Sequence, residues 1–383
     1  MPGLLHDPPR QRLRVLIVCD FLFKYASQQA RALALAGNDV TVLCRSHALE
    51  FGGSEPERDD VLAALREDGV ALLALPGRVR SPSAIPGILG IRQRLRRWRP
   101  DVVHVHENHD PRLLVLTTGF RTVFTAHDPV EHLGARAFTR TEDWIFDRWF
   151  ARAERLIVHG QALADELATV VGPERIVVIP HGTWPRAEPL PCPSSPSVLL
   201  FGRLEHYKGV EVLAAAMPRV WAQRPDARLV VAGAGPAARR VPVDPRVMLL
   251  ERYIPERDVE PLLAAASLVV LPYTQASQSG VGLLAIAAGV PVVVSDLGAL
   301  QELVLDPSFV APTRDPAALA AAILRHLDDG IAIRQTLLRR ATERFSWNHV
   351  AAMTMELYTG MLAGPRLSSA RVRRRSGASG GRS

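Results

Sequence analysis

Ser197-Val198-Leu199-Leu200-Phe201-Gly202-Arg203-Leu204-Glu205-His206-Tyr207-Lys208-Gly209 is an apolar run that stops at one glycine and reopens at another. Five residues ending at a glycine read as a fully buried strand. From about Lys208 to Gln223 the pattern becomes helical. The loop between them therefore follows a strand and opens a helix, where open α/β sheets hold their ligands. Gly202 and Gly209 allow close backbone approach. A helix start offers unpaired N–H groups and positive potential. Arg203 adds a planar guanidinium and Lys208 a compact ammonium, two cations of different geometry. Together they suit a diphosphate. The competing reading is a surface loop with two solvated cations.

The same strand-and-helix texture extends both ways. Before the loop, apolar runs lie at Val15 to Cys19, Asp39 to Leu43, Val70 to Leu75, Asp101 to Val105, Arg121 to Thr125, Arg155 to Val158 and Arg175 to Ile179. After it they lie at Arg228 to Ala232, Val247 to Leu250, Leu268 to Leu271 and Pro291 to Val294. Helical patterns such as Ala26 to Ala36 and Gln161 to Val171 fall between most of them. This alternation predicts doubly wound α/β domains with parallel sheets covered on both faces. Six prolines between residues 180 and 196 interrupt the texture. The expected organisation is a first domain over 1–182, a Pro-rich linker over 183–196 and a second domain over 197–345. Residues 364–383, rich in Ser, Gly and Arg, read as a tail without structure.

The 383 residues carry 46 Lys+Arg against 39 Asp+Glu, a formal charge of +7. Six of the arginines follow Pro365, and without them the balance is 40 to 39. Charge therefore gives no ground for nucleic-acid binding. Only two of the cations are lysines, Lys24 and Lys208, so a lysine in the loop departs from the habit of the chain. Cys19, Cys44 and Cys192 make neither a disulfide framework nor a zinc motif. No signal-peptide pattern and no apolar run of about 18 residues is present, so a cytoplasmic protein is expected.

The chain resembles the family-4 retaining glycosyltransferases of the GT-B fold. The likeness rests on Gly202-Arg203 with Lys208-Gly209, and on Val231-Ala232-Gly233-Ala234-Gly235-Pro236. It continues through Leu271-Pro272-Tyr273, Ala287 to Val293, Asp296-Leu297-Gly298, Glu302 and Phe345-Ser346-Trp347. The resemblance implies two Rossmann-like domains facing across a cleft, with the last helix, 346–363, completing the first. It gives Arg203 and Lys208 the diphosphate of a nucleotide-sugar donor. It also implies retention of configuration, with the leaving diphosphate taking the acceptor proton and no protein nucleophile.

Further candidates follow. Ser277-Gln278-Ser279-Gly280-Val281-Gly282 could cradle phosphate or sugar oxygens, while Ser279 or Ser277 could simply cap the next helix. In the family this region carries two glutamates; aligned here, they become Ala276 and Leu284. The Ser-Gln-Ser-Gly form then marks a variant subgroup. His127, in Ala126-His127-Asp128, resembles the family histidine that meets the donor sugar near the reacting carbon; a structural histidine is the alternative. Glu251 to Pro255 resembles the segment that contacts the base, which points to Tyr253 and Ile254.

His104 and His106, with His109 and His132, give a histidine-rich region. Two residues apart on a strand, His104 and His106 face the same way. They are expected to line the cleft on the acceptor side with Asp128. A metal site is the sharper reading but has no tight ligand spacing. No Asp-x-Asp pair implies a divalent cation, and no cofactor is expected. Ile88, Ile91, Leu95 and Trp98 form one helix face among Arg92, Arg94, Arg96, Arg97 and Arg99. Either that face packs on the sheet or, with Arg371 to Arg375, it rests on an anionic membrane at its inner face.

The expected activity is transfer of a sugar from a nucleotide diphosphate sugar to a hydroxyl acceptor, such as a glycan, a glycolipid or a small molecule. The alternatives are an epimerase-like enzyme of the same fold and a catalytically silent nucleotide-sugar binder.

Overall fold

The computed structural model describes residues 12–19, 22–45, 54–76, 82–106, 110–127, 140–276 and 278–366. The first sheet is built from β1 (Arg14–Cys19), β2 (Asp39–Cys44), β3 (Ala71–Ala74), β4 (Val102–His106), β5 (Thr122–Thr125), β6 (Arg155–Val158) and β7 (Ile176–Val178). Its order is β3-β2-β1-β4-β5-β6-β7. The second is built from β8 (Ser197–Phe201), β9 (Arg228–Ala232), β10 (Val247–Leu250), β11 (Leu268–Leu271), β12 (Val292–Ser295) and β13 (Val310–Ala311). Its order is β10-β9-β8-β11-β12-β13. The pairings of β1 with β2 and β4, and of β8 with β9 and β11, are parallel. β1, β4, β8 and β11 are buried almost throughout, which is why they read as continuous apolar runs.

The helices are α1 (Phe23–Leu35), α2 (Glu55–Glu67), α3 (Ile85–Trp98), α4 (Pro111–Leu116), α5 (Arg140–Arg152), α6 (Gln161–Leu167), α7 (Val210–Gln223), α8 (Glu256–Ala264), α9 (Gly280–Ala287), α10 (Gly298–Gln301), α11 (Pro316–His326), α12 (Ile331–Phe345) and α13 (Trp347–Ala363). The α/β alternation expected from sequence is present in both sheets, each with a central strand where the winding reverses. Ligands of such sheets sit at the carboxyl ends of the strands flanking that reversal. In the second sheet those strands are β8 and β11.

By contact density the chain divides into two compact units, with boundaries at Thr125/Ala126, Leu156/Ile157 and Val350/Ala351. The segment from Ala351 belongs with the N-terminal unit, where Tyr358 reaches His104. Within the second unit, the Pro-rich stretch is pinned rather than loose. The Arg186 and Leu190 N–H groups donate to the Ala287 and Ala288 carbonyls at 3.0 and 2.9 Å, taking up acceptors that α9 leaves open at its C-terminus. Leu190 is buried in the second core, and Arg334 Nη1 donates to its carbonyl. No helix among the described residues is long and apolar enough to cross a membrane.

Candidate functional site

Three loops meet backbone to backbone at the carboxyl ends of β8, β9 and β11. The Gly202 N–H donates to Ala232 O and the Leu204 N–H to Ala234 O, both at 2.9 Å. A side chain at Gly233 would place Cβ 1.8 Å from Gly202 O, and one at Gly209 would place it 1.8 Å from Pro272 O. Gly209 also has φ +69°, so glycine is required there twice over. A Cβ on Gly202 would lie 3.3 Å from Val281 Cγ2, which sets the first turn of α9 against the loop after β8.

The charged groups sit around this convergence. Arg203 is exposed. Lys208 Nζ stands over the Tyr273 ring, 3.8 Å from its centroid, and 5.0 Å from that of Tyr207. Such cation–π contact fixes an ammonium without neutralising it. Tyr273 is buried, and its hydroxyl lies 3.2 Å from Ser279 Oγ; burial pushes the phenol well above its ordinary range. Ser279 is the N-cap of α9 and accepts from the Gly282 N–H at 3.2 Å. Its hydroxyl is thus spent on the cap and on Tyr273. Among the described residues the Gly280 and Val281 N–H groups take no partner and remain as anion donors at the helix start. Ser277 lies outside the described residues.

Gln278 points elsewhere: its Nε2 donates to His159 O at 3.1 Å. His159 in turn stands 3.1 Å, Nε2 to Nδ1, from His127. A Cβ on Gly160 would meet Glu302 Oε1 at 2.7 Å. The half-buried Glu302 carboxylate accepts from the Gln161 N–H at 3.1 Å, and burial raises its carboxyl above the usual range. All of these residues belong to the second unit. His159, His181 and the bracing role of Glu302 are absent from the sequence reading. The available signal was the repeated His-Gly at two successive strand ends, His159-Gly160 and His181-Gly182. Asp128, His109 and His132 lie outside the described residues.

Tyr253 and Ile254 follow β10. Tyr253 is exposed, and Ile254 is partly buried against the second core. Their neighbour Arg252 pairs with Asp258 at 2.9 Å.

His104 and His106 do share one side of β4, with rings stacked 4.8 Å apart. Instead of lining an opening, both are fully buried in the first unit. His104 lies 2.5 Å from Tyr358 Oη and 2.6 Å from Thr125 Oγ1, and His106 lies 2.8 Å from Gln29 Oε1. Each ring is held by uncharged partners from α13, β5 and α1. Among the described residues no group of three His, Cys, Asp or Glu could hold a metal.

Comparison with known proteins agrees with this arrangement. Residues 23–183 match the model described as Glycosyltransferase Family 4, and 195–329 the model described as Glycosyl transferases group 1. The chain is 30% identical to a glycogen synthase of Mycobacterium tuberculosis, over 93% of this chain and 95% of that protein. It is 27% identical to a phosphatidyl-myo-inositol mannosyltransferase of Propionibacterium freudenreichii, over 91% and 95% of the two chains. Anabaena HepE, solved with UDP and glucose, matches with a TM-score of 0.68 at 17% identity, over 91% of this chain and all of that one. The two parallel-sheet domains have the GT-B fold, and the chain belongs to the family-4 glycosyltransferases, enzymes that use nucleotide-sugar donors.

Proposed function

We propose that the donor diphosphate lies between Arg203, Lys208 and the first turn of α9, and that transfer proceeds with retention. The observation that carries this reading is the glycine-lined convergence after β8 and β11, which holds an exposed guanidinium, a ring-held ammonium and two N–H donors together. Fixed positive charge of this kind stabilises a leaving diphosphate at the moment its negative charge grows. In the proposed step the acceptor hydroxyl attacks the anomeric carbon from the face the diphosphate leaves. The carbon–oxygen bond to phosphate breaks, the new glycosidic bond forms, and a phosphate oxygen takes the hydroxyl proton. His127 meets the donor sugar, and Tyr253 and Ile254 the base. No metal or other cofactor takes part. The loop around Gln278 and Ser279, with Ala276 and Leu284 in place of carboxylates, belongs to a variant subgroup whose donor grip rests more on backbone and cations. Calorimetry with UDP, GDP and ADP is expected to show binding of at least one, weakened in Lys208→Ala. Absence of any binding would remove the assignment. Anomeric proton couplings of the product test retention directly.

The acceptor side is read as a lipid-proximal surface. The named mannosyltransferase relative acts on a phosphatidylinositol, and α3 turns Ile85 and Leu89 outward beside exposed Arg94, Arg96, Arg97 and Arg99. The face of Ile88, Ile91, Leu95 and Trp98 is a different one and turns to the protein: Leu95 is fully buried, and Trp98 Nε1 donates to Asp39 at 2.9 Å. Arg371 to Arg375 lie outside the described residues. Pelleting with vesicles rich in anionic lipid is expected to carry the protein down, and less so after Leu89→Glu.

A further inference from the structure

Three histidines stand in a row where β5, β6 and β7 end. His127 Nδ1 is 3.1 Å from His159 Nε2, and His159 Nδ1 is 3.0 Å from the Ile179 carbonyl oxygen. A carbonyl can accept but cannot donate, so the proton in the second contact belongs to His159 Nδ1. His159 is 2% exposed. A second ring beside it is that of His181, 5.2 Å away between centroids, whose Nδ1 donates to Gly182 O at 3.0 Å. Desolvation first, and repulsion from His159 second, push His181 down to about 3. For His159, its own burial disfavours the imidazolium. A neutral His159 with its proton on Nδ1 has its lone pair on Nε2. That lone pair can only accept, so His127 Nδ1 is the donor and the lone pair of His127 falls on Nε2.

We infer that His159 is a positioning residue: it fixes His127 as the Nδ1–H tautomer, so that Nε2 meets the donor sugar as a hydrogen-bond acceptor. The group recognised is therefore a sugar hydroxyl, which can donate, rather than a ring or ether oxygen, which cannot. This rests on reading His127 as the sugar contact. The backbone of His159 is also held by Gln278, whose amide donates to its carbonyl. Gln278 thus acts as a brace between the α9 loop and this row.

Selective 15N labelling of histidine in the full-length protein reads the tautomer directly. The expected spectrum shows His127 protonated at Nδ1 in the wild type and released from that pattern in His159→Phe. The same variant should lower kcat on the order of tenfold to a hundredfold, through loss of alignment, with little change in donor KM. His159→Gln, whose amide oxygen stands near the lost Nε2, should recover most of kcat. A wild-type His127 protonated at Nε2 overturns the inference. So does a His159→Phe enzyme with unchanged kcat, or a Gln variant that regains thermal stability without regaining turnover. A fully active His127→Ala would sink the sugar-contact reading itself, whichever tautomer is found.

Discussion

At the carboxyl edge of the first sheet, β4 lies beside β1 and turns His104 and His106 inward onto Tyr358, Thr125 and Gln29. At the matching edge of the second, β8 lies beside β11, and the chain emerges through Gly202, Arg203, Lys208 and Gly209. Strand order and reversal point are alike, yet one edge is filled with side chains and the other is cleared by glycines and ringed by donors. The reversal point makes a crevice possible; the residues that leave it decide whether anything can enter. Polar residues at a strand end are therefore weak evidence for a ligand unless backbone has been brought close enough to hold one.

The largest expected effect lies at the open edge. Lys208→Ala or Arg203→Ala should each reduce turnover on the order of a hundredfold to a thousandfold, measured as nucleotide diphosphate release, with the fold intact by circular dichroism. Equal activity in both variants would erase the contrast between the edges. Next is Gly209→Ala, which forces a Cβ toward Pro272 O at a positive φ. A cost of about 2–4 kcal/mol is expected, read as a lower denaturation midpoint together with lost donor binding. At the closed edge, His104→Leu leaves two buried hydroxyls without their partner and should cost about 1–3 kcal/mol in stability. The folded fraction should keep its specific activity, and loss of turnover at full stability would show that this edge takes part after all. The smallest effect is expected for Tyr273→Phe. The ring under Lys208 remains, and only the hydroxyl contact with Ser279 goes, for about 0.5–1.5 kcal/mol. Its melting temperature should fall slightly while donor affinity holds.

Much of this was legible before the structure. Buried parallel strands are continuous apolar runs, so Ser197 to Phe201 and Leu268 to Leu271 announced themselves, as did the rare lysine at 208. The two-residue β13 is too short to carry any pattern. The shared orientation of His104 and His106 follows from the strand period. Their burial depends on Tyr358, 254 positions away from His104, and no local pattern contains that. The His127–His159 contact likewise forms only because neighbouring strands end side by side. The prolines of 183–196 argue against helix and sheet, and the stretch has neither apart from an isolated bridge of Thr183 with Ser346. What they do not show is that extended backbone can still dock, here on the open carbonyls of α9.

The hydrogen bond between His104 and Tyr358 also orders events in time. Strands β1 to β5 leave the ribosome early, but their partner in α13 is made only after the whole second sheet. At roughly 5–20 residues per second, the approximately 200 intervening residues take about 10–40 s. Through that interval the nascent first sheet lacks the cover of α13, and His104 keeps Thr125 but lacks Tyr358. A chaperone-free translation reaction halted before residue 350 should therefore release a chain that aggregates, whereas completion of the last helix should seal it.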